Sequence, residues 1–289
     1  MSAAVEVDGS VAGATAGAPA APAQSATSGT SRPGSIPARR TVFTVVFVAV
    51  VALAWAALWI WGRSPYGRFL SHHALQGTGL SALLRLTPLF VAGWTLMTVA
   101  MMLPTSMPLV TLFHTITRNR RHPMQLVGLL VAGYLSVWTL FAVMAHLGDR
   151  GLHAVVARIG WLSVNPWVIG VVILDVAGLY QFSSLKYRCL DQCRSPFAFI
   201  AGHWRGRSDR RDAFRLGVRH GLFCLGCCWS LMLLMFAVGA GNLGWMLMLG
   251  AVMGVEKNAP WGRRIGRPLG FLLLSGAVAA AATGAVLSG

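Results

Sequence analysis

Five cysteines carry the most distinctive chemistry of the chain, and all fall between positions 189 and 228. Cys189 and Cys193 are four residues apart, which puts both thiols on one face of a helix. Cys224, Cys227 and Cys228 follow in the string Cys224-Leu225-Gly226-Cys227-Cys228-Trp229. At the α-helical turn angle, His220, Cys224 and Cys227 share one arc of the helix, with Met235 further along the same side. Thiols beside an imidazole and thioethers suit a soft transition metal, copper as Cu(I) or zinc. Four such donors complete a tetrahedral zinc site, and two or three are enough for Cu(I). The same residues are open to two other uses. Cys224 and Cys227 form a CxxC-like pair that Cys189 or Cys193 could resolve, as in a membrane thiol oxidoreductase. Free cysteines also pack simply as small apolar side chains, leaving a non-catalytic membrane subunit that docks a partner.

Other polar groups stand out against an apolar background. Asp175 is the only acid well inside an apolar run, and an intramembrane carboxylate reads first as a proton or cation site. Glu256 and Lys257 close another run, where they could form a snorkelling anchor or local salt bridge, or turn a carboxylate toward the cysteines. Met97 and Met101 share a helix face beside a proline-rich break, so they fit either core packing or a soft-metal relay. No glycine-rich phosphate loop, G-x-S-x-G elbow or H-E-x-x-H pair is present, so the balance leans away from an enzyme.

The elements that must position these residues follow from composition. Of 289 residues, 55% are hydrophobic and 11% charged, which excludes an ordinary soluble domain. The formal charge is +16, almost all of it arginine, since Lys186 and Lys257 are the two lysines. Residues 1–38 are an Ala/Gly/Ser/Thr/Pro-rich stretch with too little apolar surface to fold, and they are expected to be a disordered tail. Residues 39–289 then form a transmembrane helical domain. Apolar runs at 42–61, 86–113, 124–147, 165–182, 217–240, 242–256 and 268–288 imply an all-α, polytopic transmembrane helix bundle of about seven spans, with six possible. The second run holds Pro88, Pro104 and Pro108, so the helix should bend or end near 103–108. The sixth is short for a span.

With seven spans and a cytoplasmic N-terminus, 19 of the 24 basic residues fall in cytoplasmic segments and the C-terminus lies outside. The positive charge is then an orientation signal of a multi-pass inner (plasma) membrane protein, and nucleic acid is not an expected partner. The partners expected are the lipid bilayer and a metal-delivery or other membrane protein. The same sidedness puts all five cysteines at the reducing face, where thiols stay free.

Several blocks in order carry a family resemblance. Residues 97–108, Met-Thr-Val-Ala-Met-Met-Leu-Pro-Thr-Ser-Met-Pro, resemble the signature MxxAMMLPxxxP. Ala177-Gly178-Leu179-Tyr180-Gln181, then Leu185-Lys186, Cys189-Leu190 and Cys193-Arg194-Ser195-Pro196, resemble AGxYQxxxLKxxCLxxCRxP. Gly221, the 224–229 string, Leu231-Met232 and Glu256-Lys257 complete the pattern. Over residues 85–285 the chain resembles the DUF2182 family of predicted metal-binding integral membrane proteins. The resemblance implies a membrane location and a metal, with Cys189, Cys193, Cys224, Cys227, Cys228 and Glu256 as site candidates. It fixes no reaction. One departure is Phe182-Ser183-Ser184, where the pattern leads one to expect a proline, and its absence is expected to loosen the turn that places Cys189.

Overall fold

The computed structural model describes residues 35–64, 80–165, 167–206, 208–238 and 242–288. The stretch 1–34, most of the expected tail, lies outside the described residues, as does the glycine-rich connection at 239–241. Met1–Arg40 is one unit and Thr41–Gly289 another; the architecture below is that of the second. All regular structure among the described residues is helical: α1 (Ser35–Arg63), α2 (Leu80–Thr105), α3 (Met107–Thr117), α4 (Pro123–Arg158), α5 (Gly160–Val164), α6 (Trp167–Tyr180), α7 (Ser184–Arg194), α8 (Pro196–His203), α9 (Asp209–Val238), α10 (Leu243–Asn258), a 3-10 turn (Gly262–Ile265) and α11 (Gly266–Ser288).

Among the described residues, five segments are long and apolar enough to cross a membrane: Thr41–Arg63, Leu86–Thr105, Pro123–Arg158, Asp209–Met235 and Gly262–Val286. The pair α6–α7 adds a sixth if taken as one broken span, bent by 64°. The all-α bundle expected from the apolar runs is therefore present, with a count of five to six. The segment expected as a short sixth run is α10, whose 16 residues rise about 24 Å against a hydrocarbon core of about 30 Å. Its C-terminal Glu256 and Lys257 are buried in protein, not placed at an aqueous boundary.

The proline break falls where the sequence puts it. α2 ends at Thr105, Ser106 forms the turn, and α3 starts at Met107 with Pro108 in its first turn. Pro104 lacks the amide that would reach the carbonyl of Ala100, and that carbonyl accepts instead from the indole Nε1 of Trp55 on α1, at 3.0 Å. Thr105 Oγ1 and Ser106 Oγ both donate to the Met102 carbonyl, at 2.8 and 3.4 Å. The break thus has its polar groups answered, as a membrane interior requires.

α9 is the central element and packs most closely on α4. A Cβ on Gly133 would lie 2.2 Å from the Phe214 carbonyl oxygen, and one on Gly217 would lie 2.0 Å from that of Leu130. The two backbones therefore touch, and only glycine allows it at either position. This contact fixes Tyr134 of α4 against the His220–Cys224 turn of α9.

The chain between α6 and α9 is not an irregular connection. It forms α7 and α8, with Lys186, Cys189, Leu190, Phe199 and Ile200 buried. The turn without its expected proline is not loose. Ser183 caps α7, its hydroxyl accepting from the amides of Leu185 and Lys186 at 3.1 and 3.4 Å. A serine cap does here what a proline would do by restricting φ.

Candidate metal centre

α9 carries Cys224, Cys227 and Cys228 on successive turns, all fully buried and all free thiols. Cys227 and Cys228 both donate to the carbonyl of Cys224, at 3.1 and 2.8 Å. That local bonding holds the two sulfurs 3.5 Å apart. On one side, Cys193 from the end of α7 brings its sulfur within 4.0 Å of Cys227. On the other, Met102 from the end of α2 brings its thioether within 3.8 Å of Cys228. Four sulfurs thus form a row, Cys193–Cys227–Cys228–Met102, that starts at a half-buried thiol and ends at a side chain with no exposure.

A buried cation closes the inner end. Lys257 of α10 donates to Cys224 Sγ at 3.0 Å and to Thr105 Oγ1 at 3.2 Å, and lies 3.9 Å from Met102 Sδ. Tyr134 OH shares a hydrogen bond with the same Cys224 sulfur, at 3.0 Å. His220 stacks on Tyr134 with its Nε2 3.1 Å from Ser106 Oγ, and its buried Nδ1 has no partner among the described residues. Residues from α2, α4, α7, α9 and α10 converge on this one cluster.

Beside it sits a second polar cluster of different character. Lys186 Nζ donates to Glu256 Oε1 at 2.6 Å and also to Gln181 Oε1. Arg194 donates to the backbone carbonyls of Glu256 and Pro260. Consecutive residues of α10 therefore face different partners: Glu256 meets a lysine and Lys257 meets sulfur. The snorkelling role open to that pair is corrected by burial, since the two are 2% and 6% exposed.

Residues 91–280 match the model of a family described as PpoB2, copper chaperone. This chain belongs to the PpoB2 copper-chaperone family. No curated protein and no solved structure matches it. At the level of a metal-related membrane-type family, this agrees with what the motif blocks imply.

The positions singled out by sequence fare differently in this PpoB2-family chain. Cys193, Cys227 and Cys228 share the sulfur row, whereas Cys224 turns its sulfur to Tyr134 and Lys257. Cys189 lies against the backbone of Gly226, where an added Cβ would come within 2.5 Å of its sulfur. Among the described residues, no group of three or more His, Cys, Asp or Glu is arranged to hold a metal ion. The arrangement is thus a row of neighbouring pairs in place of a closed four-cysteine cage. Glu256 is drawn away from the thiols by Lys186. Asp175 is half-buried on α6 and makes no ion pair among the described residues. Met97 and Met101 are buried in α2, and Met101 packs toward Gly250 of α10. Met102, the next residue, is the methionine that reaches the cysteines. Lys257 as a sulfur partner, Met102, Tyr134 and Thr105 were missed by sequence reasoning. A signal was available for two of them. Met102 stands in the proline-flanked block, and Lys257 is one of two lysines in an arginine-rich chain.

Proposed function

We propose that this membrane protein takes Cu(I) as cargo on the sulfur row, receiving it at Cys193 and holding it between Cys227 and Cys228 with Met102 at the inner end. The observation that carries this reading is the row itself: three thiols and a thioether, each within 4.0 Å of the next, running from a half-buried position into the core. Soft sulfur donors in low coordination suit Cu(I), and membership of a copper-chaperone family supports copper as the cargo. Zinc is the weaker fit, because a structural zinc site wants four converging ligands.

Charge balance favours the same ion. Two thiolates around Cu(I) carry one net negative charge, which is costly to bury alone. The ammonium of Lys257, set against Cys224 and Met102, offsets it without a carboxylate. Neighbouring sulfurs also allow exchange of one ligand at a time, so the ion need never be bare. Passage along the row, receipt from or delivery to a metal-handling membrane partner, and an inner-membrane setting with the N-terminus inside belong to this proposal. Asp175, on α6, is the candidate for any accompanying ion path. The DUF2182-like blocks supply five of its residues, Met102, Cys193, Cys227, Cys228 and Lys257.

Elemental analysis of anaerobically purified protein tests the reading. Wild type is expected to hold copper in a fixed ratio, and a Cys227→Ser/Cys228→Ser variant to lose it. Equal and substoichiometric copper in both would overturn the proposal. A redox reading has one observation in its favour, the 4.0 Å approach of Cys193 and Cys227. Free-thiol counts with and without a Cu(I) chelator separate the two, since shielding relieved by chelator belongs to metal and not to a disulfide.

A further inference from the structure

Outside the sulfur row, a strongly basic cleft lies between α7 and the start of α11. Two adjoining cavities of about 710 and 700 Å³ share Tyr187, Asp191, Arg263 and Arg267 in their walls. Arg188 completes the first, and Arg194 and Arg264 the second. Five guanidinium groups therefore border one continuous space that contains a single acid. Asp191 is already engaged, 3.0 Å from Arg263, and Arg194 is tied to the Glu256 and Pro260 carbonyls. Arg188, Arg264 and Arg267 are exposed and make no ion pair among the described residues. Three unneutralised cations around a cavity leave a demand for an anion that the described residues do not themselves meet.

The rest of the wall says which kind of anion. Phe182 and Phe271 meet edge to face with ring centroids 5.1 Å apart and line the same cavity. Phe271 and Leu272 are each 66% exposed on α11, within the span Gly262–Val286. Arg263, Arg264 and Arg267 occupy the first turns of that span. Charge at the end of a span and an outward apolar face just beyond it match a molecule with an anionic head and hydrocarbon tails. Arginine forks bind phosphate oxygens in pairs, and basic pockets between membrane helices hold anionic headgroups. An inorganic phosphate would satisfy the arginines but make no use of the aromatic wall.

The geometry points to a site for the phosphate group of an anionic phospholipid, held by Arg188, Arg264 and Arg267 with its acyl chains over Phe182 and Phe271. The site is independent of copper: none of these five residues touches the sulfur row. Arg194 nevertheless borders both regions, because it lines the cleft and follows Cys193 directly. A bound headgroup would thus brace the end of α7 that presents the outer thiol.

The test is native mass spectrometry of the full chain in mild detergent, titrated with phosphatidylglycerol, with phosphatidylcholine, and with phosphatidylglycerol in the presence of excess inorganic phosphate. Wild type is expected to retain phosphatidylglycerol over phosphatidylcholine, undisturbed by free phosphate. Arg264→Gln/Arg267→Gln should weaken phosphatidylglycerol binding about thirtyfold, the worth of two interfacial charges. Arg211→Gln/Arg215→Gln, a charge-matched change at exposed positions on α9, should bind as wild type does. Both variants are first checked for an unfolding temperature like that of wild type, and Arg188→Gln/Arg267→Gln stands in if the first double variant fails. A loss below tenfold, an equal loss in the α9 variant, or equal retention of the two lipids overturns the proposal. Displacement by inorganic phosphate overturns the lipid assignment and gives the site to the free anion.

Discussion

The two lysines of this chain, both buried, make an instructive pair. Lys186 lies against Glu256 and Gln181, so its charge is neutralised and its hydrogen bonds are largely satisfied within the protein. Lys257, one residue from that same Glu256, lies instead against a thiol, a hydroxyl and a thioether. The first cluster is electrically closed and ties α7 to α10. The second contains a cation beside two sulfurs and a hydroxyl with no acid against it among the described residues, which is the counter-charge the proposed metal–thiolate unit calls for. The two lysines are alike in burial and differ in the chemistry of their partners.

The largest effect is expected at Glu256. Glu256→Ala strands Lys186 as an unpaired buried charge, and about 3–5 kcal/mol of stability should be lost, read as a lower unfolding midpoint in detergent. Lys186→Met/Glu256→Met removes both charges and should recover most of that loss while leaving copper content unchanged. A double variant as unstable as Glu256→Ala would show that packing and not charge sets the value of this cluster.

Lys257→Met comes next in size. It removes charge-assisted hydrogen bonds of about 1.5–3 kcal/mol each and should weaken Cu(I) binding by tenfold or more in competition with a Cu(I) chelator. Unchanged affinity would mean that the lysine is not the counter-charge. Gly226→Ala forces a methyl into the Cys189 sulfur and should cost about 1–3 kcal/mol as overpacking, with the copper ratio retained. Loss of copper from this variant at full stability would return Cys189 to the ligand set. Smallest of all is Met102→Leu, a near volume-conserving change that should cost under about 1.5 kcal/mol in stability. Its Cu(I) affinity should fall by a few fold, and no change would remove the thioether from the site.

Much of this architecture is legible in the sequence. Apolar run lengths and the proline block foretold the all-α bundle and the break between α2 and α3, because both depend on local covalent geometry and on the thickness of a bilayer. The spacing of Cys224, Cys227 and Cys228 put three thiols on adjoining turns of one helix for the same reason. Helical period, however, tells which side chains share a face and not what that face meets. Met97 and Met101 share a face, yet α2 turns Met102 toward α9. Lys257 reads as a span-end cation until α10 proves too short to bring it out of the protein. Tyr134 could not be linked to Cys224 from sequence, since 90 residues separate them and the contact depends on Gly133 and Gly217 letting α4 touch α9.

In the proposed function the sulfur row, and not the neighbouring ion pair, holds Cu(I). Anaerobic chelator-competition titration on wild type, Cys227→Ser/Cys228→Ser and Lys186→Met/Glu256→Met tests it most directly. Tight, saturable Cu(I) binding is expected in wild type and in the ion-pair variant, and its loss in the cysteine variant. Equal binding by all three proteins, or loss in the ion-pair variant with retention in the cysteine variant, would contradict it.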